Sequence, residues 1–262
     1  MPSALFEPDG SRFVPTELAR GPWSPHALHG GPPAGLLARA VEREAGGDAM
    51  QVSRITIELL RPVPLAPLEV ETALLRPGRK VQLVGATLRA GTTEVARAVA
   101  LRIRIADLPV PAGLERSVPP PGPETATGRG SSWESVSDAP AFHNQGVEHR
   151  FVAGGFDGPG PATDWIRLRV PLVAGEPTGP LARTVAVADF GNGVSWVLPR
   201  QDRWRFINPD LTVALHRLPV GEWVCLEAET AVGGNGIGQA VSRLWDERGR
   251  LGYALQSLIL ER

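Results

Sequence analysis

Residues 54–104, RITIELLRPVPLAPLEVETALLRPGRKVQLVGATLRAGTTEVARAVALRIR, lie over residues 210–260, DLTVALHRLPVGEWVCLEAETAVGGNGIGQAVSRLWDERGRLGYALQSLIL, at a constant offset of 156 with no gap. Thr56 falls on Thr212, Leu59 on Leu215, Arg61 on Arg217, Glu71 on Glu227, Gly78 on Gly234, Ala98 on Ala254 and Ile103 on Ile259. The identities are few, but strand faces and turns coincide as well, and self-similarity at a fixed offset marks a repeated structural unit. In the first copy Ile55, Ile57 and Leu59 alternate with Thr56, Glu58 and Leu60. The alternation continues through 68–75, 81–90 and 95–105, with turn residues at Arg76-Pro77-Gly78-Arg79 and Arg89-Ala90-Gly91-Thr92. Period-two alternation between Gly- and Pro-rich punctuation predicts antiparallel strands. The second copy predicts strands at 211–217, 223–231, 238–246 and 251–260, with Glu247-Arg248-Gly249-Arg250 as the last hairpin turn.

Outward from these runs, each copy is preceded by a helix and, before that, a strand. Gly30-Gly31-Pro32-Pro33 opens a helix over 34–45, with Leu36, Leu37, Ala40 and Val41 on one face; 180–196 is its counterpart. Proline suits a first helical turn, whose N–H groups have no intrahelical partner. Strands are expected at 11–18 and 164–171. The pattern is α+β: strand, helix, antiparallel strands, twice over. A proline-rich stretch, 108–140, separates a first unit (1–107) from a second (141–262). Two sheets, each wrapped on a helix, can cover one another side by side, as a homodimer would.

Composition narrows the function. The chain has 262 residues, 42% hydrophobic and 21% charged, with a formal net charge of -1. No basic stripe suggests nucleic acid, and a neutral balance gives no reason to expect an anionic membrane surface. Cys225 is the single cysteine, so no disulfide forms within the chain and no cysteine metal site is possible. The five histidines, His26, His29, His143, His149 and His216, lack zinc-helix spacing. Residues 1–10 carry Glu7 and Asp9 without an apolar core, unlike a signal peptide. A cytoplasmic protein without cofactor is the expectation.

His29-Gly30-Gly31 at a helix start, Arg61-Pro62-Val63-Pro64-Leu65 and Arg76-Pro77-Gly78-Arg79 resemble the N-terminal half of TesB-like acyl-CoA thioesterases. Ala188-Asp189-Phe190, His216-Arg217, Glu222-Trp223 and Leu255-Gln256-Ser257 resemble the C-terminal half. The resemblance covers nearly the whole chain and rests on the order and spacing of these pieces. It implies a tandem, or double, hotdog fold and hydrolysis of acyl-CoA without metal or covalent protein nucleophile. It further implies an aspartate, a Ser or Thr and a Gln that together hold and polarise a water. Asp189 matches the aspartate and Gln256 the glutamine. At the hydroxyl position counting back from His216-Arg217 gives Asn208, which has no hydroxyl; Thr212, four residues on with the same strand parity, is the alternative. The resemblance also implies a homo-oligomer.

Thioester hydrolysis needs an oriented or deprotonated water, a stabilised carbonyl oxygen and an apolar slot. Asp189 suits the base, with Asn208 or Thr212 and Gln256 as orienters. Backbone N–H groups at Gly30 and Gly31 suit the oxyanion, beside His29. Arg217 suits a CoA phosphate or a structural ion pair. Carried beyond the aligned block, the 156 offset pairs Asp189 with Pro33, Asn208 with Val52 and Gln256 with Ala100, which predicts one polar site per chain, in the second half. Two other readings stand beside hydrolysis. A non-catalytic acyl-thioester-binding protein is favoured by Asn208. An acyl-thioester dehydratase or hydratase is disfavoured because Asp189 has no histidine near it in sequence.

Overall fold

The computed structural model describes residues 2–44, 50–109, 111–114, 118–126, 128–129, 139–198 and 204–262. The expected end of the first helix at Ala45 lies outside the described residues, as do 110, 115–117, 127 and 130–138 of the proline-rich stretch. The first half carries β1 (Phe6–Asp9), β2 (Arg12–Pro15), α1 (Gly31–Arg43), β3 (Met50–Leu59), β4 (Leu68–Arg76), β5 (Val81–Ala90) and β6 (Thr93–Arg104). The second carries β7 (Gly128–Arg129), β8 (Val147–Ala153), β9 (Ala162–Leu168), α2 (Pro180–Ala188), α3 (Gly191–Val194) and β10 (Arg205–Ile207). It ends with β11 (Asp210–Leu215), β12 (Val224–Val232), β13 (Ile237–Asp246) and β14 (Gly249–Glu261).

The strands form one sheet, ordered β1-β2-β4-β5-β6-β3-β11-β14-β13-β12-β9-β8-β7, with β10 also on β14. Two separate sheets were expected. They are joined because β3 and β11 would each be an edge strand, and pairing with one another satisfies both rows of backbone groups. At the junction Thr56 faces Thr212, Ile57 faces Leu211 and Ile55 faces Val213, so a local two-fold relation passes through the two threonines.

The registers reproduce the repeat. Thr56 pairs Val99 as Thr212 pairs Leu255, and Leu59 pairs Ala96 as Leu215 pairs Gly252. Even the register shift between Leu88 and Arg89 recurs between Leu244 and Trp245. One difference matters for the site. The β3 ladder slips between Val52 and Arg54 but continues, whereas at the matching place the chain has Pro209 and the strand is split into β10 and β11. Proline has no N–H to give a ladder.

Helices α1 and α2 lie antiparallel on one face of the sheet. Contact is close because α1 presents Gly31 and Gly35 to Ala182 and Ala186; a Cβ on Gly35 would sit 3.2 Å from Ala186 Cβ. Leu36, Leu37 and Val41 of α1 and Leu181 and Val185 of α2 are buried beneath, each large side chain contributing about 1.5–3 kcal/mol. The second helix is shorter than the expected 180–196. It ends at Ala188, Asp189 caps it, the Phe190 N–H bonds back to Val187 O at 3.0 Å, and α3 follows as a single turn. Glycines at 191 and 193 weaken a continuous helix here. Among the described residues, no helix is long and apolar enough to cross a membrane.

Candidate active site

Asp189 sits where α2 ends, 3% exposed. A carboxylate at a helix C-terminus is unfavourable against that helix's own dipole. The antiparallel packing compensates by bringing the N-terminus of α1 alongside: a Cβ on Gly30 would lie 2.7 Å from Asp189 Oδ2. Glycine at 30 is therefore required by the carboxylate, since any side chain would occupy its space.

Three side chains hold the carboxylate. Asn208 Nδ2 donates to Oδ1 at 2.8 Å, and Gln256 Nε2 donates to the same oxygen at 3.3 Å. His29 Nδ1 lies 2.9 Å from Oδ2. Gln256 is 1% exposed and its amide orientation is fixed, because Oε1 accepts the Asn192 N–H at 3.0 Å while Nε2 also donates to Asp189 O at 3.1 Å. Asn208 likewise has its Nδ2 between two acceptors, Asp189 Oδ1 and Asp210 O. The break at Pro209 is what frees Asn208 from the sheet. Both amide N–H groups are thus aimed at one carboxylate oxygen.

His29 Nδ1 serves two neighbours. The Gly31 N–H points at it from 3.1 Å, and the Asp189 carboxylate lies on it. One ring nitrogen cannot accept from Gly31 and donate to Asp189 together. The Gly31 N–H and the Asp189 carboxylate therefore compete for Nδ1, the first when that nitrogen is bare and the second when it carries a proton. That N–H matters because positions 32 and 33 are both proline, so Gly31 is the sole donor of the first three helical residues; Ala34 N–H is spent on Gly30 O.

The structure thus brings Asp189, Gln256, Asn208, His29, Gly30 and Gly31 together. Thr212 is not brought there. Leu211 and Val213 face the helices, so Thr212 faces the opposite side of the sheet, where its hydroxyl meets Thr56 Oγ1 at 3.1 Å. Arg217 is committed to Asp246 by two bonds of 2.6 Å and to Gly249 O at 2.9 Å, and this pairing holds the Asp246 carboxyl below its ordinary range. Asp189 has no histidine near it in sequence, yet the fold brings His29 into contact with it, which removes that ground for disfavouring a dehydratase or hydratase. Sequence reasoning also missed Asn192, which orients Gln256, and Phe190, whose ring packs 4.7 Å from that of His29.

The pairing of Asp189 with Pro33 is corrected too, because the helices do not keep the strand offset. The other end of the helix pair carries its own carboxylate, Glu42 at the end of α1. It accepts from Leu181 N–H at 3.1 Å and Ala182 N–H at 3.4 Å, and a Cβ on Gly179 would meet it at 2.5 Å. Burial pushes the Glu42 carboxyl up despite those two bonds. The pairings of Asn208 with Val52 and Gln256 with Ala100 follow the register. Among the described residues, no group of three or more His, Cys, Asp or Glu could hold a metal ion.

Comparison with known proteins follows the same division. A family model described as acyl-CoA thioesterase C-terminal domain matches residues 115–260, and one described as acyl-CoA thioesterase N-terminal domain matches residues 19–103. No curated protein matches the sequence. Among solved structures, a protein of Novosphingobium aromaticivorans provisionally termed a thioesterase is similar with a TM-score of 0.76 at 20% identity, covering 98% of this chain and 99% of that one. A conserved protein of unknown function with hot dog fold from Alicyclobacillus acidocaldarius has a TM-score of 0.69 at 20% identity, covering 98% and 96%. An acyl-CoA thioesterase II TesB2 from Mycobacterium marinum has a TM-score of 0.64 at 14% identity, covering 97% and 92%. At these identities the likeness is one of fold.

Proposed function

Because the chain belongs to the acyl-CoA thioesterase family, we propose that it hydrolyses an acyl-CoA thioester to the free acid and CoA, using a water activated by Asp189. The observation that carries this reading is the buried Asp189 carboxylate held by two amides and a histidine at a helix N-terminus. Asp189 takes a proton from the water, whose oxygen bonds to the thioester carbonyl carbon. The charge that develops on the carbonyl oxygen is stabilised by the Gly31 N–H, which turns to it when His29 Nδ1 carries a proton. Collapse breaks the carbon–sulfur bond, and the CoA thiolate takes up the proton. Asn208 fills the orienting role of a hydroxyl through its amide, and no metal takes part. The two halves act as fused hotdog units, a reading supported by the shared registers, in a cytoplasmic homo-oligomer.

Thiol release from a panel of saturated, enoyl and aromatic acyl-CoAs, with and without chelator, tests this on the wild type, Asp189→Asn and Gln256→Ala. Release by the wild type, unaffected by chelator and reduced in both variants, is expected. No release from any member of the panel sinks the hydrolase reading and favours a non-catalytic binder. The His29–Asp189 contact supports a second reading, hydration of an enoyl thioester. That reading wins if enoyl-CoA gains water without releasing thiol.

A further inference from the structure

Phe190 follows the catalytic aspartate in the chain, and its ring packs on the histidines of two His–Asp pairs. One is His29, 4.7 Å between ring centroids, in contact with Asp189. The other is His149, 4.9 Å away and at 87° to the Phe190 ring, with Nδ1 2.6 Å from Asp164 Oδ2. The first pair is at the site. The second is sealed: the His149 side chain is 3% exposed and that of Asp164 0%. Asp164 is itself fixed by the Arg150 N–H at 3.0 Å. Phe151 and Phe156 also pack on His149, at 5.9 and 5.2 Å between ring centroids.

Such a pair is a poor choice for stability alone. Burying a carboxylate completely is costly, and a well-packed apolar pair in its place is often neutral or stabilising. His149 Nε2 is also buried without a hydrogen-bond partner among the described residues, a further cost. The β8–β9 hairpin has a counterpart in β1–β2, where the register sets Pro8 against His149 and the chain sets Ser11 against Asp164; both counterparts are exposed. The polar pair therefore occurs only in the half that carries Asp189. A local rule broken on one side of a duplicated fold, with no gain in packing, points to a functional demand.

What the pair supplies is direction. An apolar side chain against Phe190 can rotate, whereas an imidazole hydrogen-bonded to a fixed carboxylate cannot. We propose that His149 and Asp164 are positioning residues: they hold Phe190 against His29, and so hold the 189–190 segment with the Asp189 carboxylate over the N-terminus of α1. This rests on the hydrolase reading above for its consequence in turnover, but not for its geometry.

The test is the double variant His149→Phe/Asp164→Val, which removes both polar partners together and so leaves no orphaned charge. Melting temperature at or above that of the wild type is expected. So is a fall in kcat of about 10- to 100-fold with KM changed by less than about two-fold, the pattern of misplaced reacting groups. The exchange-protected Hδ1 proton resonance of His29, held by its bond to Asp189, is expected in the wild type and lost in the variant. A merely structural pair would lower the melting temperature and leave kcat and the resonance alone. A folded double variant whose kcat stays within about two-fold of the wild type overturns the proposal. If the wild type turns over no acyl-CoA, the hydrolase reading has failed, and the resonance decides the proposal by itself: its persistence in the variant overturns it. Should the double variant not fold, two single variants decide. His149→Gln keeps an N–H for Asp164 and is expected to retain kcat, while His149→Leu is expected to lose it; equal activity in the two overturns the proposal.

Discussion

The two ends of the antiparallel helix pair each hold a buried carboxylate against the first turn of the opposite helix, and they use it in opposite ways. Asp189 is suspended by side chains, those of Asn208, Gln256 and His29, and the Gly31 N–H of the facing helix points at His29 Nδ1 rather than at the carboxylate. Glu42 sits on the backbone, taking the N–H groups of Leu181 and Ala182 for itself. The longer side chain reaches the first turn of the facing helix directly. The helix C-termini differ in the same sense. The first is capped by the buried Arg102, which donates to Val41 O and, at 2.7 Å, to Glu44 O; the second is capped by Gln256, whose amide also reaches the carboxylate. The duplicated fold thus sets a carboxylate against the first turn of each helix, and a single methylene with a change of cap distinguishes the two ends.

The comparison breaks most sharply on the carboxylates themselves. Asp189→Asn is expected to lower kcat by about 10²- to 10⁴-fold, the usual share of a general base, while Glu42→Gln leaves kcat within about two-fold because its N–H partners are already closed to substrate. Thiol release measured on both variants checks this, and comparable losses would erase the distinction between the ends.

Stability against pH sharpens it next, because the two ends respond with opposite sign. His143, beside the active end, is lowered by burial, then by His29 and His149, from an ordinary 6.5 to about 4. Its neutral form is the one the fold accepts. Its contribution is complete above 6.5 and is lost as pH falls toward 4, on the order of 3 kcal/mol in all. Glu42 is raised above 4.5, so its contribution is present below 4.5 and is lost as pH rises through the folded value. Melting temperatures across this range should flatten on the acid side in His143→Phe and above 4.5 in Glu42→Gln. A common slope in the two variants would refute the assignment.

Gln256→Ala removes a bond to a charged group, worth roughly 1.5–3 kcal/mol, and is expected to cost about 10- to 100-fold in kcat. The smallest effect is Thr212→Val: its hydroxyl meets Thr56 on the far face of the sheet, so kcat should stay within about two-fold and stability fall by no more than about 1 kcal/mol. A large loss of activity would return Thr212 to the site.

Much of the fold was legible because it is written in short-range patterns. The strand β5 runs over 81–90 as the alternation predicts, and the ungapped offset of 156 reappears as paired registers down to a shared irregularity. Where the pattern failed, a polar residue stood on a buried face. The strand β8 was missed because Val147, His149 and Phe151 alternate inward with a histidine in the middle. The site was legible in part. Asp189 and Gln256 carry the resemblance and do meet. Thr212 shares the strand parity of Asn208, but parity ends at Pro209, which resets the face.

The sequence by itself determined the repeat, its strands and turns, and the family to which the halves belong, since periodicity and turn chemistry depend on neighbours a few residues apart. Only the tertiary structure decided which donors hold each carboxylate. That depends on helices some 150 residues apart in the chain packing antiparallel through Gly31 and Gly35, and on which donors the facing ends have left. No local pattern encodes such a contact, because its energy comes from close packing and hydrogen-bond satisfaction between groups that meet only after the whole sheet has formed.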